Sequence, residues 1–308
     1  MMCLPTSPVT RAAALILLVA LPIRLAGVGD LNAQSSRPRP SQRVILVTGS
    51  TDGLGREVAK QLASGGAHLI IHGRNRERGL AVVDEIMKEG KGSAAFCAAD
   101  FASLSNVRAF ADTILKTYPR IHVLVNNAGI WLREGPRQTS ADGHEMTFAV
   151  NYLSGYLLTR LLLPRLVASA PSRVVNVSSQ SQSPIDMDDP MQEKTYSGQR
   201  AYSQSKLAQT MFTIDLAKEL EGKRVTVLAL HPATLMDTKM VEKAGVQPRS
   251  SVEEGVVAVV QAVNDMSFPS GSFVNRGVAS RANAQAYDDA ARGKLREISE
   301  RLTGVRRP

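Results

Sequence analysis

Cysteine, long apolar runs and clustered basic residues are all scarce in this chain, and each shortage narrows what it can be. The two cysteines, Cys3 and Cys97, cannot build a disulfide framework, and neither stands in a CxxC-type spacing. The five histidines, His68, His72, His122, His144 and His231, are scattered at spacings that suit no metal centre. The formal net charge is +9, yet no run of lysine and arginine falls within the body of the chain. Arg11, Arg24, Arg37, Arg39 and Arg43 precede the first expected strand against Asp30 alone (5 − 1 = +4), and Arg306 and Arg307 sit at the other end. With most of the excess charge at the termini, a nucleic-acid face is not expected. No internal repeat occurs, and no shift in composition after residue 42 marks a second domain.

No apolar stretch is long enough to span a bilayer, which takes ~20 residues. The uncharged stretch 12–23 follows Arg11, contains Pro22 and ends before Arg24. It fits a signal-peptide core, with Leu31-Asn32-Ala33 as cleavage context, and equally a disordered leader. The expected location is cytoplasmic, or exported or membrane-associated should residues 1–33 act as a signal or anchor. Arg37-Pro38-Arg39-Pro40 reads as an extended linker.

What is present is a large apolar fraction, 44% of 308 residues, enough for one α/β domain with a short extension. Short β-rich apolar runs at 44–48, 68–72, 94–98, 122–126, 174–177, 225–230 and 272–274 alternate with helical patterns. Those patterns cover 54–64, 77–89, 104–117, 143–168, 201–221, 252–264 and 282–302. Strands that are apolar throughout, each followed by a helix, predict a mostly parallel seven-stranded sheet covered on both faces. The expected division is a leader over 1–41 and a domain over 42–308. Within that domain lie a substrate loop at about 180–200, a lid at about 236–250 and a C-terminal helix.

Gly49, Ser50, Thr51, Gly53, Leu54 and Gly55 form a glycine-rich turn directly after the first strand and at the start of a helix. Glycines there let the backbone approach a pyrophosphate, whose charge then faces the helix N-terminus. The spacing is G-x-x-x-G-x-G, without the usual G-x-G-x-x-G fingerprint. No acidic residue follows the second strand. Arg74 stands there instead and suits a 2′-phosphate, favouring NADP(H) over NAD(H). Asp100, after the third strand, can accept from an adenine amino group or serve a helix N-terminus. Further on, Tyr202 and Lys206 are four residues apart and share a helix face. An ammonium beside a phenol lowers a pKa that starts near ~10, making Tyr202 a proton donor and acceptor.

In this order the glycine turn, Asp100, Asn126-Asn127-Ala128-Gly129, Asn151 within Phe148–Leu153, Val177-Ser178-Ser179 and Tyr202/Lys206 resemble the short-chain dehydrogenase/reductase family. The likeness covers 44–274 and is nearest the single-domain, retinol-dehydrogenase-like branch and its bacterial relatives. It implies a doubly wound Rossmann fold. It also implies Tyr202 as proton-transfer group, Lys206 on the nicotinamide ribose, and Ser179 rather than Ser178 on the substrate oxygen. Asn151 would hold a water that links Lys206 to solvent, and Asn126, Ala128 and Gly129 would line the cofactor cleft. Thr234 or Thr238 would meet the nicotinamide carboxamide. The two long helices, 143–168 and 201–221, would pair in a homodimer or homotetramer.

Two features depart from the family pattern. Ser179 and Tyr202 stand 23 residues apart, which leaves room for an added loop. Pro232-Ala233 replaces the usual Pro-Gly, and alanine limits the backbone. Met236, Met240, Val241 and Val246, with Trp131, suggest an apolar or aromatic carbonyl or alcohol such as a retinoid, steroid or aryl ketone. The alternatives are a same-fold epimerase or dehydratase, or a cofactor-sensing scaffold without turnover.

Overall fold

In the computed structural model, which describes residues 36–306, the six central strands are buried almost end to end. They are β1 (Val44–Val47), β2 (His68–Gly73), β3 (Ser93–Ala98), β4 (Val123–Asn126), β5 (Ser172–Val177) and β6 (Val225–His231). The expectations for residues 1–33 lie outside the described residues. Helices α1 (Gly53–Ser64) and α2 (Arg76–Glu89) come between the first three strands, and α3 (Leu104–Thr117) follows β3. The short α4 (Met146–Phe148), α5 (Ser154–Ala168) and α6 (Gly198–Glu219) come next. They are followed by α7 (Lys239–Lys243), α8 (Val252–Asn264) and α9 (Asp289–Thr303).

The strands are mainly apolar along both faces because alternate side chains enter two different cores. Along β1, Val44 and Leu46 join the cluster containing α3, α5, α6 and α9 residues. Ile45 and Val47 join the cluster of α1, α2 and α8. The sheet order is β3-β2-β1-β4-β5-β6 followed by β7 (Phe273–Asn275) and β8 (Val278–Ser280). All pairs are parallel except β7–β8. The sheet has eight strands rather than the expected seven, because Arg276 and Gly277, at φ 48 and 83, turn the chain back on itself. The strand order reverses beside β1, which pairs with both β2 and β4. Sheets of this kind bind ligands at that switch point, outside the carboxyl ends of the strands.

The expected helix at 143–168 begins late. Gly143 has φ 82, and the buried Glu145 carboxylate takes the Thr147 and Phe148 amides at 3.0 and 2.6 Å. A π-helical turn, Ala149–Leu153, then precedes α5. Residues 182–197 form a loop with Ile185 and Met191 buried, and 198 and 199, expected in it, open α6. The C-terminal segment grips the loop: the Ile185 amide donates to Gln285 Oε1 at 2.7 Å, and Gln285 Nε2 returns to the Ile185 carbonyl at 3.0 Å. Helix α9 lies against α6, with Tyr152 meeting Ser299 at 2.7 Å and Arg296 paired to Asp215 at 2.7 Å. A strip of one of the two helices expected to meet a second subunit is thus covered from within the chain.

Candidate active site

At the carboxyl ends of the central strands lies a cleft of about 810 Å³. One end is the glycine turn. A methyl group on Gly49 (φ 65) would stand 2.8 Å from the Ala128 Cα, and one on Gly55 only 2.3 Å from the Gly49 carbonyl oxygen. The backbone therefore packs as closely as glycine allows. Asn127 ties the turn to the loop after β4: its Nδ2 donates to the Thr48 and Gly49 carbonyls at 2.9 and 3.2 Å. The Gly49 amide donates to His72 Nδ1 at 3.1 Å, leaving the imidazole proton on Nε2. Asp52 caps α1 and holds both Arg78, at 3.1 Å, and Lys239 of the lid, at 2.8 Å.

Gly49, Thr51, Gly53, Leu54, Gly55, Ala128 and Gly129 line the cleft as expected of them, but Ser50 and Asn126 do not. Ser50 Oγ donates to the Val47 carbonyl at 2.7 Å, which turns it into the interior. Asn126 faces Asn176 across β4 and β5 and donates to its Oδ1 at 2.8 Å, bracing two strands. Arg74 and Asp100 both line the cleft and meet each other at 3.6 Å, with 70% and 44% of their side chains exposed.

The other end gathers the serines, Tyr202 and Lys206. Ser178 and Ser179 follow directly on β5 and turn to different partners. Ser178 Oγ donates to the Lys206 carbonyl at 2.6 Å, on the helix side. The Ser179 hydroxyl lies close enough to Tyr202 to favour its ionisation, and it accepts the Ser181 amide at 3.0 Å. Lys206 Nζ donates to the Val177 carbonyl at 2.8 Å and to Gln209 Oε1 at 3.1 Å, and stands 5.6 Å from the Tyr202 ring centre. Trp131 packs against Tyr202 at 5.4 Å between ring centres.

The expected lowering of the phenol by Lys206 is not what this geometry produces. Burial brings Lys206 itself down to about 7, so its charge is only partly present at neutral pH. Burial also pushes Tyr202 up, against the downward pull of Ser179.

Asn151 stands one layer behind the cleft, in the π-helical turn. Its Oδ1 takes the Ile130 amide at 2.8 Å, and its Nδ2 donates to the Ile130 carbonyl and to Ser205 Oγ, both at 3.0 Å. A methyl on Gly129 would lie 3.4 Å from Asn151 Oδ1 and 3.7 Å from Lys206 Nζ, so both residues border the same space. Thr234 lines the cleft with its hydroxyl 3.0 Å from His231 Nε2, while Thr238 caps α7. The left-handed conformation in this segment falls on Leu235, at φ 50, so Ala233 meets no strain. The lid contributes Met236, Met240 and Val241 to the cleft, the segment after β5 contributes Gln180 and Ser181, and the first turn of α6 contributes Gln199. Sequence reasoning passed over Asn127 and His72, which carry the glycine turn. A signal for Asn127 was its place just beyond the strand end, where the chain leaves the sheet.

Three buried imidazoles make the fold acid-sensitive. Burial holds His68 and His231 to about 4 and His72 to about 3, against an ordinary 6.5. Unfolded, all three take protons near the ordinary value. Stability that is present above it is lost as pH falls toward about 4. With each unit worth ~1.36 kcal/mol, a total loss on the order of several kcal/mol is expected. Thermal unfolding at about pH 7.5 and about pH 5 measures it, and an unchanged midpoint would refute the linkage.

A family model described as short chain dehydrogenase matches residues 43–248. Human retinol dehydrogenase 12 is 41% identical over 196 residues, 63% of this chain and 61% of its own length. Human retinol dehydrogenase 14 is 41% identical over 206 residues, 62% and 61% of the two chains. The match thus spans under two thirds of either relative. Among solved structures, an uncharacterised protein from Mycobacterium paratuberculosis superposes with a TM-score of 0.73 at 32% identity, covering 88% of this chain and 97% of that one. A short-chain dehydrogenase from Shigella flexneri, solved with NADP, has a TM-score of 0.63 at 26% identity, covering 76% and 96%. The family match takes in well over half of the sequence, and the chain belongs to the short-chain dehydrogenase family.

Proposed function

We propose that the protein interconverts a carbonyl and an alcohol on a mainly apolar small molecule, using NADP(H). The observation that carries this reading is the convergence of Ser179, Tyr202 and Lys206 at one end of a cleft whose other end is the glycine turn.

The residues fit the cofactor. At Gly49 and Gly55 any side chain would strike the protein's own backbone, so the turn stays tight and free of side chains, and it lines the same space as the N-terminus of α1, which suits a pyrophosphate. Arg74 is mostly exposed and carries a fork of donors suited to a 2′-phosphate. NADPH, when bound, supplies the hydride. The chain's own residues manage the oxygen. As negative charge grows there, the Ser179 hydroxyl donates a hydrogen bond to it and Tyr202 delivers its proton. Lys206, beside Tyr202, would hold the nicotinamide ribose. Asn151 positions the loop at Ile130 beside Lys206.

The test is oxidation of NADPH and NADH against aldehydes and ketones that include retinaldehyde, a steroid ketone and aryl ketones. Turnover with NADPH preferred supports the reading, whereas cofactor binding without turnover on any carbonyl overturns it. Arg74→Ala is expected to raise the KM for NADPH on the order of 10- to 100-fold, the worth of a charge-assisted hydrogen bond, with far less effect on NADH. Equal losses would make Arg74 a surface residue.

A further inference from the structure

The cleft around Ser179 and Tyr202 is lined by both apolar and polar side chains. Ile130, Trp131 and Leu132, with Met236, Met240 and Val241 of the lid, are among the former, and Gln180, Ser181 and Gln199 are polar and uncharged. Gln199 lies in the first turn of α6, three residues before Tyr202. Residues at that spacing share a helix face, with Cβ atoms about 5–6 Å apart.

Gln199 is exposed at the cleft, with its amide nitrogen anchored. Its Nε2 donates to Ser181 Oγ at 3.2 Å and to Ser203 Oγ at 3.1 Å. Those two hydroxyls meet at 2.8 Å, and the Ser181 amide donates to Ser179 Oγ at 3.0 Å. One network therefore joins Gln199 to the Ser179 hydroxyl. Among the described residues, the Oε1 end of Gln199 meets no donor. A hydrocarbon lying on it would take that oxygen from water and return nothing. Lys239, the cation lining the lid side, is engaged by Asp52 at 2.8 Å, which disfavours a carboxylate here.

Building on the reductase reading, we propose that the substrate is a hydroxy-carbonyl compound. Its apolar body lies against Trp131 and the lid, and Gln199 binds a hydroxyl two or three bonds from the reacting carbonyl. A hydroxyl both donates and accepts, so either orientation of the amide serves it.

The experiment compares kcat/KM for 2-hydroxyacetophenone and acetophenone with saturating NADPH, in the wild-type chain, Gln199→Leu and Gln199→Glu. The wild type is expected to favour the hydroxylated ketone by about tenfold or more, because a site built to bond a hydroxyl rejects the analogue lacking it. Gln199→Leu is expected to bring the ratio near one, and Gln199→Glu, which keeps an acceptor, to retain part of it. A merely structural role would depress both substrates together and leave the ratio intact, which overturns the proposal. So does a wild-type ratio near one while both ketones are reduced. Failure to reduce any carbonyl overturns the reductase reading itself, and this inference with it.

Discussion

Replacing Tyr202 by phenylalanine is expected to lower kcat by ~10²- to 10⁴-fold, the range of a positioned general acid. The affinity for NADPH is expected to stay within about twofold of wild type. The substitution removes one oxygen. It keeps the ring that packs against Trp131 and under Lys206. Single-turnover rates and NADPH fluorescence titration separate the two quantities, and residual activity within tenfold of wild type would mean that another group supplies the proton. The direction of the Tyr202 shift adds a pH signature. Burial holds the phenol protonated beyond its ordinary range, so the acid needed for carbonyl reduction is present at and below neutral pH. Alcohol oxidation needs the phenolate and is expected to climb with pH over the range where reduction begins to fall.

Lys206→Met is expected to act on both rate and stability. Loss of one preorganised cationic donor costs on the order of 10²–10³ in kcat. The stability effect runs the other way. Folded Lys206 titrates at about 7 against an ordinary 10.5, so between those values the unfolded chain binds the proton that the folded one releases. Wild-type stability should rise as pH climbs through that window, by on the order of a few kcal/mol, and the slope should vanish in Lys206→Met. Denaturant unfolding at several pH values measures this. A slope that persists in the variant would place its origin elsewhere.

Much of this was legible because burial leaves a plain mark on sequence. β1 to β6 lie between two helical layers, and their mainly apolar runs say so. β8 carried no such mark: it is three residues long at the sheet edge, and Val278 and Ala279 are exposed. The start of the helix expected at 143 was misread because its cap is a buried glutamate that follows a left-handed glycine, a combination that periodicity does not reveal.

At the site, residue types were readable but facing directions were not. Ser178 and Ser179 lie just past β5, and the bonds that set them apart, Ser178 to the Lys206 carbonyl and Ser179 to the Ser181 amide, form only in the fold. The inward turn of Ser50 depends on its bonds to Val47 and His72, which only folding brings together. The register that sets Asn126 opposite Asn176 is likewise tertiary. The elevation of Tyr202 escaped sequence reasoning because desolvation is a property of the packed site, whereas the spacing to Lys206 is local.

The strip of α6 under α9 is held by a segment that no dilution removes. A tethered element faces its docking surface at an effective concentration on the order of millimolar, whatever the amount of protein in solution. A second copy approaching the same strip would have to match that figure before displacing Leu295, Ser299 and the Arg296–Asp215 pair. Association through this part of α6 is a contest between a free competitor and a tethered one, and the tether holds the advantage while the protein stays well below that concentration.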